Sequence, residues 1–185
     1  MKIEEMLVQN GEEYDDCLHM VSAPVNMRLF KSNKLYKSII MRTIHLMSRG
    51  ANIDFDDYPK AQGVSGANIG VPFNIVIVVI RDEDGTVVRN DLEVFLNPRV
   101  VKKSKKMVKC NTNCGSVNLV KKIEVLRHKW VEVEWYDIMG KQHLEIFEIG
   151  DENPVSSATL QHEIDHNMGI LITDKEITDK EIKDD

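Results

Sequence analysis

The stretch Gln161-His162-Glu163-Ile164-Asp165-His166-Asn167-Met168-Gly169 determines how the rest of this sequence is interpreted. Ser156 precedes it as a start signal for a helix, and Gly169 supplies a stop. On such a helix His162 and His166 are four residues apart, so their imidazoles project from one face about one turn from each other. The stretch therefore predicts a helix that presents two histidines to a single metal ion.

Glu163 lies next to that face of the helix. A carboxylate there can take a proton from water and pass it to a leaving amine, which is the general acid-base role in a metal-assisted hydrolase. The alternative is an exposed helix with scattered charge. We favour the metal interpretation, because His-Glu-x-x-His within a capped helix is a fairly specific pattern.

Two histidines do not complete a stable metal site, so a third ligand has to come from elsewhere in the chain. Candidates are Cys114, Cys110, His128, His143 and the acidic residues. Cys114 suits best, because it lies in a Gly- and Asn-rich segment and because a metal lowers the pKa of a thiol so that the thiolate binds. Cys110 is a further possible thiolate, although a buried, inert cysteine is the more common case.

Size and charge limit the classes of protein that this chain can belong to. Its 185 residues, 42% of them hydrophobic and 29% charged, are typical of one globular domain. A formal net charge of -6 argues against DNA as a partner, although the cluster Lys102-Lys103-Ser104-Lys105-Lys106 could touch a polyanion locally. We expect one catalytic domain over residues 1–172, followed by a charged C-terminal tail over residues 173–185.

The sequence carries no sign of a membrane or of export. No run approaches the roughly 18 apolar residues that a membrane helix needs, and the start Met1-Lys2-Ile3-Glu4-Glu5 becomes acidic where a signal peptide would become apolar. The three cysteines are an odd number, which makes a disulfide scaffold unlikely. A cytoplasmic location follows as the expectation.

Apolar periodicity predicts the other elements. Three- and four-residue steps predict an amphipathic helix over Ser32–Gly50, with Ser32 or Asn33 as its cap. Residues 51–70 have the composition of a loop. The predicted strands are Phe73–Ile80, Leu92–Leu96 (closed by Asn97-Pro98), and a hairpin of Val131–Trp135 with Leu144–Ile149. The expected fold class is α+β, with mixed or antiparallel strands around a central C-terminal helix that carries the His-Glu-x-x-His motif, and with an N-terminal helix.

At this point the sequence resembles a known family, the peptide deformylases. The block Gln161–Ile170 is similar to the family's Gln-His-Glu-x-Asp-His block with its trailing Gly and apolar residue. Cys114-Gly115-Ser116 is similar to the end of Glu-Gly-Cys-Leu-Ser, and Gly63–Gly70 resembles Gly-Φ-Ala-Ala-x-Gln-x-Gly, where Φ is apolar. Val125–His128 and the Asp137–Gly140 turn resemble the longer, Gram-positive type. The resemblance covers roughly residues 20 to 172.

The resemblance implies roles for the residues of the metal site. Cys114, His162 and His166 would be the metal ligands, and Glu163 the catalytic acid-base. The family typically uses ferrous iron, while zinc, nickel or cobalt can occupy the site. Since Cys/His/His ligation alone would suggest zinc first, Fe²⁺ is implied by the resemblance only.

The resemblance also implies a substrate and an oxyanion site. The substrate would be the formylated N-terminal methionine of a newly made polypeptide. The products would be formate and a polypeptide with a free amino group. The backbone N–H of Gly115 and the side-chain amide of Asn68 would stabilise the oxyanion. The ribosome, near the exit of the nascent chain, is a further partner that the family implies.

The match departs from the family at the oxyanion loop. Asn68 stands where the family has Gln and is one methylene shorter, and loss of one oxyanion donor typically costs on the order of 100- to 1000-fold in rate. Ser65 and Gly66 replace two alanines, and the added flexibility at Gly66 would either permit the loop to shift inward or only loosen the site.

A second departure lies before the cysteine. Thr112 and Asn113 stand where the family has Glu and Gly. Because that Glu is thought to pair with an Arg at the position of Arg127, Arg127 is expected to lack its partner here, a change that commonly costs 10- to 100-fold in metal affinity or activity.

These departures leave two alternatives beside an active deformylase. One is a deformylase-like paralogue with weak activity or with a different acyl-amine substrate. The other is a non-catalytic protein in which the His-Glu-Ile-Asp-His helix is a structural metal site or a plain surface helix.

Overall fold

The computed structural model of the protein describes residues 16–50, 62–71, 73–81, 87–117, 119 and 121–175. Among the described residues, three α-helices precede the strands and a fourth follows them, an order that is expected for an α+β protein. In chain order the elements are α1 (Asp16–His19), α2 (Met27–Ser32), α3 (Lys34–Gly50), β1 (Gly63–Ser65), β2 (Ile75–Arg81), β3 (Val87–Lys103), β4 (Met107–Thr112), β5 (Ile123–His128), β6 (Trp130–Tyr136), β7 (Gln142–Glu148) and α4 (Ser157–Asn167), with 3-10 helices at Ala67–Ile69 and Ile172–Lys175.

The strands form two antiparallel sheets. The larger sheet has five strands in the order β1-β2-β3-β6-β7, and the smaller one pairs β4 with β5. The α+β class with antiparallel strands is therefore confirmed. In the described parts of the chain, no helix is long and apolar enough to cross a membrane.

The buried strand predicted over Phe73–Ile80 is confirmed as β2. Its side chains alternate between two hydrophobic clusters: Ile75 and Ile77 pack with residues of α3, whereas Val76 and Val78 pack with residues of α4. Because a helix covers each face of this strand, both sets of side chains are buried, and the sequence reads as a nearly unbroken run of Val and Ile.

The helix predicted over Ser32–Gly50 is confirmed as α3, which begins at Lys34. Asn33 is its cap, since Asn33 Oδ1 accepts a hydrogen bond of 3.0 Å from the Tyr36 N–H. Ile40 and Met47 on its inner face have no exposed surface. The helix thus covers the β2 face that lies away from α4.

The prediction that a strand closes at Asn97-Pro98 is wrong, because β3 continues to Lys103. Asn97 adopts a φ of 55°, and the register with β6 shifts between Leu96 and Arg99. The Asn97 side chain holds this bulge: Oδ1 accepts from the Val25 N–H at 2.7 Å and Nδ2 donates to the Val25 carbonyl at 2.8 Å. A proline at a bulge removes no ladder hydrogen bond, so the strand passes through it.

The β4–β5 hairpin was not predicted, and neither was β1 within the segment expected to be a loop. In β4 exposed residues alternate with half-buried ones, and the strand pairs with β5 from Met107↔His128 to Thr112↔Ile123. The hairpin predicted around Met139-Gly140 is confirmed as β6 and β7. The predicted Asp82–Gly85 turn and residues 51–61 lie outside the described residues.

Helix α4 begins and ends at the predicted signals. Ser156 Oγ accepts from the Thr159 N–H at 3.4 Å, and Gly169 follows the helix with a φ of 72°. A Cβ at Gly169 would lie 2.7 Å from the His19 carbonyl oxygen, so the close approach of α1 also requires glycine here.

Candidate metal centre

Three predicted ligands lie together at one point of the structure. Cys114 Sγ is 3.2 Å from His166 Nε2, which is 3.2 Å from His162 Nε2. One donor atom of each residue lies within 4.8 Å of the donors of the other two, and in the described part of the chain no other group of His, Cys, Asp or Glu meets this criterion. The two histidines of α4 and the cysteine after β4 thus form a single cluster.

Gln161 fixes the position of α4 against β5. Its Oε1 accepts from the His128 N–H at 3.1 Å, and its Nε2 donates to the His128 carbonyl at 2.9 Å. Leu160 and Ile164 are buried against the five-stranded sheet. These contacts direct His162 and His166 to the side of the helix that faces Cys114.

The segment after β4 holds Cys114 half-buried. The Ser116 N–H donates to the Sγ at 3.4 Å, and the side chain packs against Leu18, Val117 and Leu171. Burial raises the pKa of the Cys114 thiol to about 12. A thiolate at this position therefore requires a cation beside it.

The histidines are suited to supply neutral nitrogen ligands. Burial lowers the pKa of His162 well below its ordinary value and that of His166 to about 4. A neutral imidazole is the form that binds a metal. His166 Nδ1 and Glu163 Oε2 are buried and have no hydrogen-bond partner in the described part of the chain. The donor set of one sulfur and two neutral nitrogen atoms, with the unpartnered Glu163 Oε2 beside it, fits a divalent cation.

Glu163 lies beside the ligands and is almost fully buried. Burial raises the pKa of its carboxyl group to about 8. Gly63 in β1 leaves the space for it, since a Cβ on Gly63 would lie 2.9 Å from Glu163 Cγ and 3.1 Å from Oε1. A carboxyl group in this environment can hold or release a proton near neutral pH.

Asn68 joins the β1 loop to the cysteine segment. Its Oδ1 accepts from the Ser65 N–H at 2.8 Å and from the Ser65 Oγ at 2.7 Å, and its Nδ2 donates to Ser116 Oγ at 3.0 Å. Ser116 in turn contacts the Cys114 sulfur. Gly115, the other predicted oxyanion donor, is the residue between Cys114 and Ser116.

Gly66 in the same loop is required by close backbone approach. A Cβ there would lie 2.4 Å from the Val71 carbonyl oxygen and 2.5 Å from that of Phe73. The Gly66 N–H also donates to the Ile75 carbonyl at 3.1 Å. The loop around Asn68 therefore requires glycine at this position.

Arg127 lacks the carboxylate that the family resemblance places at position 112, but it has another partner. The Arg127 side chain is 2% exposed, and Nη1 forms an ion pair with Asp165 Oδ2. The pair joins residues 38 positions apart, so no local pattern predicts it, although Asp165 lies within the motif Gln161–Gly169. Arg127 Nη2 is also 3.3 Å from His162 Nδ1, which links the pair to a predicted ligand.

The other ligand candidates have different surroundings. His128 Nδ1 lies 2.8 Å from the Ser104 carbonyl, and His143 Nε2 lies 2.8 Å from Asp137 Oδ2 with its ring stacked on Trp135. Cys110 packs against an apolar cluster of Ile123, Val125 and Ile172. Each of these contacts has a structural explanation that involves no metal.

Comparison with known sequences identifies relatives along most of the chain. A model of the polypeptide deformylase family matches residues 6–182. A peptide deformylase of Chloroflexus aurantiacus is 35% identical over 121 residues, which cover 61% of this chain and 62% of that protein. One of Wolinella succinogenes is 35% identical over 113 residues, with 61% and 62% covered. The match thus spans less than two thirds of the length of these relatives.

Solved structures share the fold. A class I type b peptide deformylase of Acinetobacter baumannii with Met-Ala-Ser bound has a TM-score of 0.70 at 23% identity, covering 91% of this chain and 96% of that one. A peptide deformylase of Thermotoga maritima has a TM-score of 0.67 at 20% identity, covering 93% and 97%.

Proposed function

Because this chain belongs to the polypeptide deformylase family, we propose that it is a metal-dependent hydrolase that removes the formyl group from the N-terminal formylmethionine of newly made polypeptides. One observation carries the proposal: Cys114, His162 and His166 form one cluster, and the buried carboxyl group of Glu163 lies on the same turn of α4. The family match alone would also include a protein that had lost one of these four side chains.

The chain's own residues divide the chemistry between them. Cys114, His162 and His166 would hold a divalent cation, which would supply Lewis acidity toward the formyl carbonyl and the attacking water. Glu163 accepts a proton from the water and donates it to the nitrogen of the leaving amine. In the metal-free chain, burial raises the pKa of this carboxyl group to about 8. Formate and a free amino group are the products.

Gly115 and Asn68 are the proposed oxyanion donors. Asn68 can serve although it is shorter than the family's Gln, because its amide is oriented by hydrogen bonds at both ends: Ser65 donates to Oδ1 and Ser116 accepts from Nδ2. One Nδ2 hydrogen is used by Ser116, and the second is available for a substrate oxygen. A donor that is already oriented pays no reorganisation in the transition state.

We assign Fe²⁺ as the metal in the cell on the basis of the family, with Zn²⁺, Ni²⁺ or Co²⁺ as possible substitutes. The donor set itself suits zinc as well as iron. We take α4 as the counterpart of the family's central motif helix and residues 1–172 as the catalytic domain, with residues 173–185 as a charged tail. The boundary at residue 172 falls within the 3-10 helix Ile172–Lys175.

The proposed substrate is an N-formylmethionyl peptide. The Acinetobacter baumannii protein binds Met-Ala-Ser, which has the sequence of a deformylated N-terminus, and this supports the assignment. Action on newly made chains would place the protein in the cytoplasm, near the ribosomal exit.

Formate release tests this function. Anaerobically purified, Fe²⁺-loaded protein should release formate from formyl-Met-Ala-Ser, and Glu163→Ala should reduce the rate by roughly 100-fold or more. Glu145→Ala, which removes an exposed carboxylate from β7, is the matched control and should keep the parent rate. Absence of formate release from the metal-loaded parent would contradict the proposal.

The second candidate function is hydrolysis of a different acyl-amine substrate, and the Asn68 loop is the reason to test it. The loop is held by Gly66 and by the Ser65 contacts, and Asn68 is one methylene shorter than the family's Gln, so a larger acyl group than formyl is the substrate class to test. Acetyl- and propionyl-Met-Ala-Ser should be hydrolysed far more slowly than the formyl peptide. Equal or faster hydrolysis of a larger acyl group would support the second candidate.

A further inference from the structure

We propose that Lys175 is a positioning residue for the metal site, acting through Asp165 and Arg127 on the ligand His162. This inference rests on the proposed metal function of the cluster. It adds to the site a residue from the segment that composition assigned to a charged tail.

The contacts form a continuous chain of side chains. Lys175 Nζ lies 2.6 Å from Asp165 Oδ2, and the same oxygen contacts Arg127 Nη1. Arg127 Nη2 lies 3.3 Å from His162 Nδ1. Two side chains, Asp165 and Arg127, thus lie between the Lys175 ammonium group and the His162 ring.

Lys175 is held in place by its own segment. It ends the 3-10 helix Ile172–Lys175, whose Ile172, like Leu171 before it, is 1% exposed. Asp174 Oδ2 accepts from the Leu171 N–H at 2.8 Å, and the Asp174 N–H donates to the Leu171 carbonyl at 3.1 Å. An ammonium group presented from a fixed turn loses less conformational entropy on pairing than one on a free tail.

Asp165 needs this second partner because it is the carboxylate that pairs with the buried Arg127. Thr112 stands where the family resemblance places a Glu, and its Oγ1 instead contacts the Asn113 carbonyl at 3.3 Å. The Asp165 side chain is 16% exposed, so it has a route to solvent that the 2% exposed Arg127 does not have. With Lys175 on Oδ2, the carboxylate stays directed inward, and the guanidinium stays packed against the edge of the His162 ring. This contact places the ring by packing, because a guanidinium cannot accept from the Nδ1–H of a histidine whose Nε2 binds a metal.

The sign of the effect separates positioning from simple charge. A cation near a metal site repels the metal, so removal of Lys175 by itself would raise metal affinity. Loss of positioning has the opposite effect, because changes in the groups that orient metal ligands commonly lower metal affinity 10- to 100-fold. A fall in affinity after removal of a positive charge therefore indicates positioning.

The test measures Co²⁺ binding rather than activity. Co²⁺ is titrated into metal-free protein against a competing chelator, and its visible and thiolate charge-transfer bands are recorded for the parent, Lys175→Met, Lys175→Arg and Lys109→Met. Lys109 pairs with Glu124 on the β4–β5 hairpin and serves as the matched control. We expect Lys175→Met to weaken Co²⁺ binding roughly 10-fold and to shift the bands, while Lys175→Arg and Lys109→Met stay close to the parent.

Each outcome decides the inference. Unchanged or tighter Co²⁺ binding by Lys175→Met, with parent-like bands, would overturn it and leave the metal site intact. A parent that binds no Co²⁺, or binds it equally well as Cys114→Ala, would overturn the metal site itself. Thermal unfolding of each metal-free variant shows whether a loss of affinity comes from a loss of folding, and a Lys175→Met protein that weakens binding only because it unfolds would also overturn the inference.

Discussion

The side-chain amide of Asn68 donates a 3.0 Å hydrogen bond to the hydroxyl of Ser116, and so connects the loop after β1 with the segment that carries Cys114. The two residues are 48 positions apart and both are buried. Because Asn68 Oδ1 also accepts twice from Ser65, the shorter side chain is held at both ends of its amide in this loop.

Substitution of Asn68 by Gln is therefore expected to impair the protein, although Gln is the family's residue. The added methylene has to enter a packed site and displaces the amide from Ser65 and Ser116, which we expect to lower the free energy of unfolding by about 1–3 kcal/mol. Formate release should fall as well. Urea denaturation and steady-state kinetics check both effects. A faster Asn68→Gln enzyme would show that the shortened amide limits catalysis.

Gly63→Ala is expected to displace Glu163. The new Cβ would lie 2.9 Å from Glu163 Cγ and 2.8 Å from Thr159 Cγ2, closer than real Cβ contacts. We expect a loss of stability of about 1–3 kcal/mol and a larger loss in kcat than in metal content. Gly150→Ala is the control. The φ of 84° at Gly150 strains an alanine, yet the atom nearest to the new Cβ would be Lys129 Nζ at 4.0 Å. Equal kcat values for the two variants would contradict this prediction.

Glu163→Gln is expected to separate catalysis from metal binding. The amide cannot accept the proton from water, so the rate of formate release should fall roughly 100- to 10,000-fold. Metal content should stay near one equivalent, because Cys114, His162 and His166 are unchanged. Thermal stability should not decrease, since the buried Glu163 Oε2 has no hydrogen-bond partner among the described residues. Elemental analysis, calorimetry and kinetics on one preparation measure all three quantities.

Asp165→Asn is expected to destabilise the metal-free protein strongly. It leaves the 2% exposed Arg127 without its carboxylate, and breaking a buried ion pair on one side typically costs about 3–5 kcal/mol. The Arg127→Met/Asp165→Asn double variant should lose less than the sum of the two single variants. Glu134→Gln breaks the exposed pair with Arg99 and should cost less than about 1 kcal/mol. Additive single losses in urea denaturation would argue against coupling.

Metal removal is expected to lower the unfolding temperature without unfolding the protein at room temperature. A cation bound only by the folded chain adds about 4 kcal/mol at a free concentration 1,000 times its Kd. Circular dichroism before and after chelation should therefore show the same secondary structure but an earlier transition. Cys114→Ser should reduce the difference between the two curves. A chelated protein with the transition of the metal-loaded one would contradict this prediction.

The elements that could be predicted from the sequence are those with strong local signals. Helix α4 has a cap at Ser156 and a stop at Gly169, and its histidines share a face because of their spacing alone. Strand β2 was recognisable from its Val and Ile run. The positions of His162 and His166 within the motif were sufficient to predict a metal site from the sequence alone.

Other features depend on contacts between distant parts of the chain. Strand β3 passes Asn97 because that side chain bonds to the backbone of Val25, 72 residues away, which no local pattern encodes. The Arg127–Asp165 pair joins residues 38 apart. The β4–β5 hairpin was not predicted, because the side chains of β4 are only exposed or half-buried and give no strong apolar pattern.

The two hydrogen bonds between Gln161 and the backbone of His128 bear on how the protein matures. They join the histidine helix to the small sheet through protein atoms alone, whereas a zinc finger acquires its fold only as its metal binds. We therefore expect the fold to form before a metal binds the proposed site. The occupant of that site would then follow the supply of iron or zinc that the folded chain meets, and the chemistry of the site would follow the occupant.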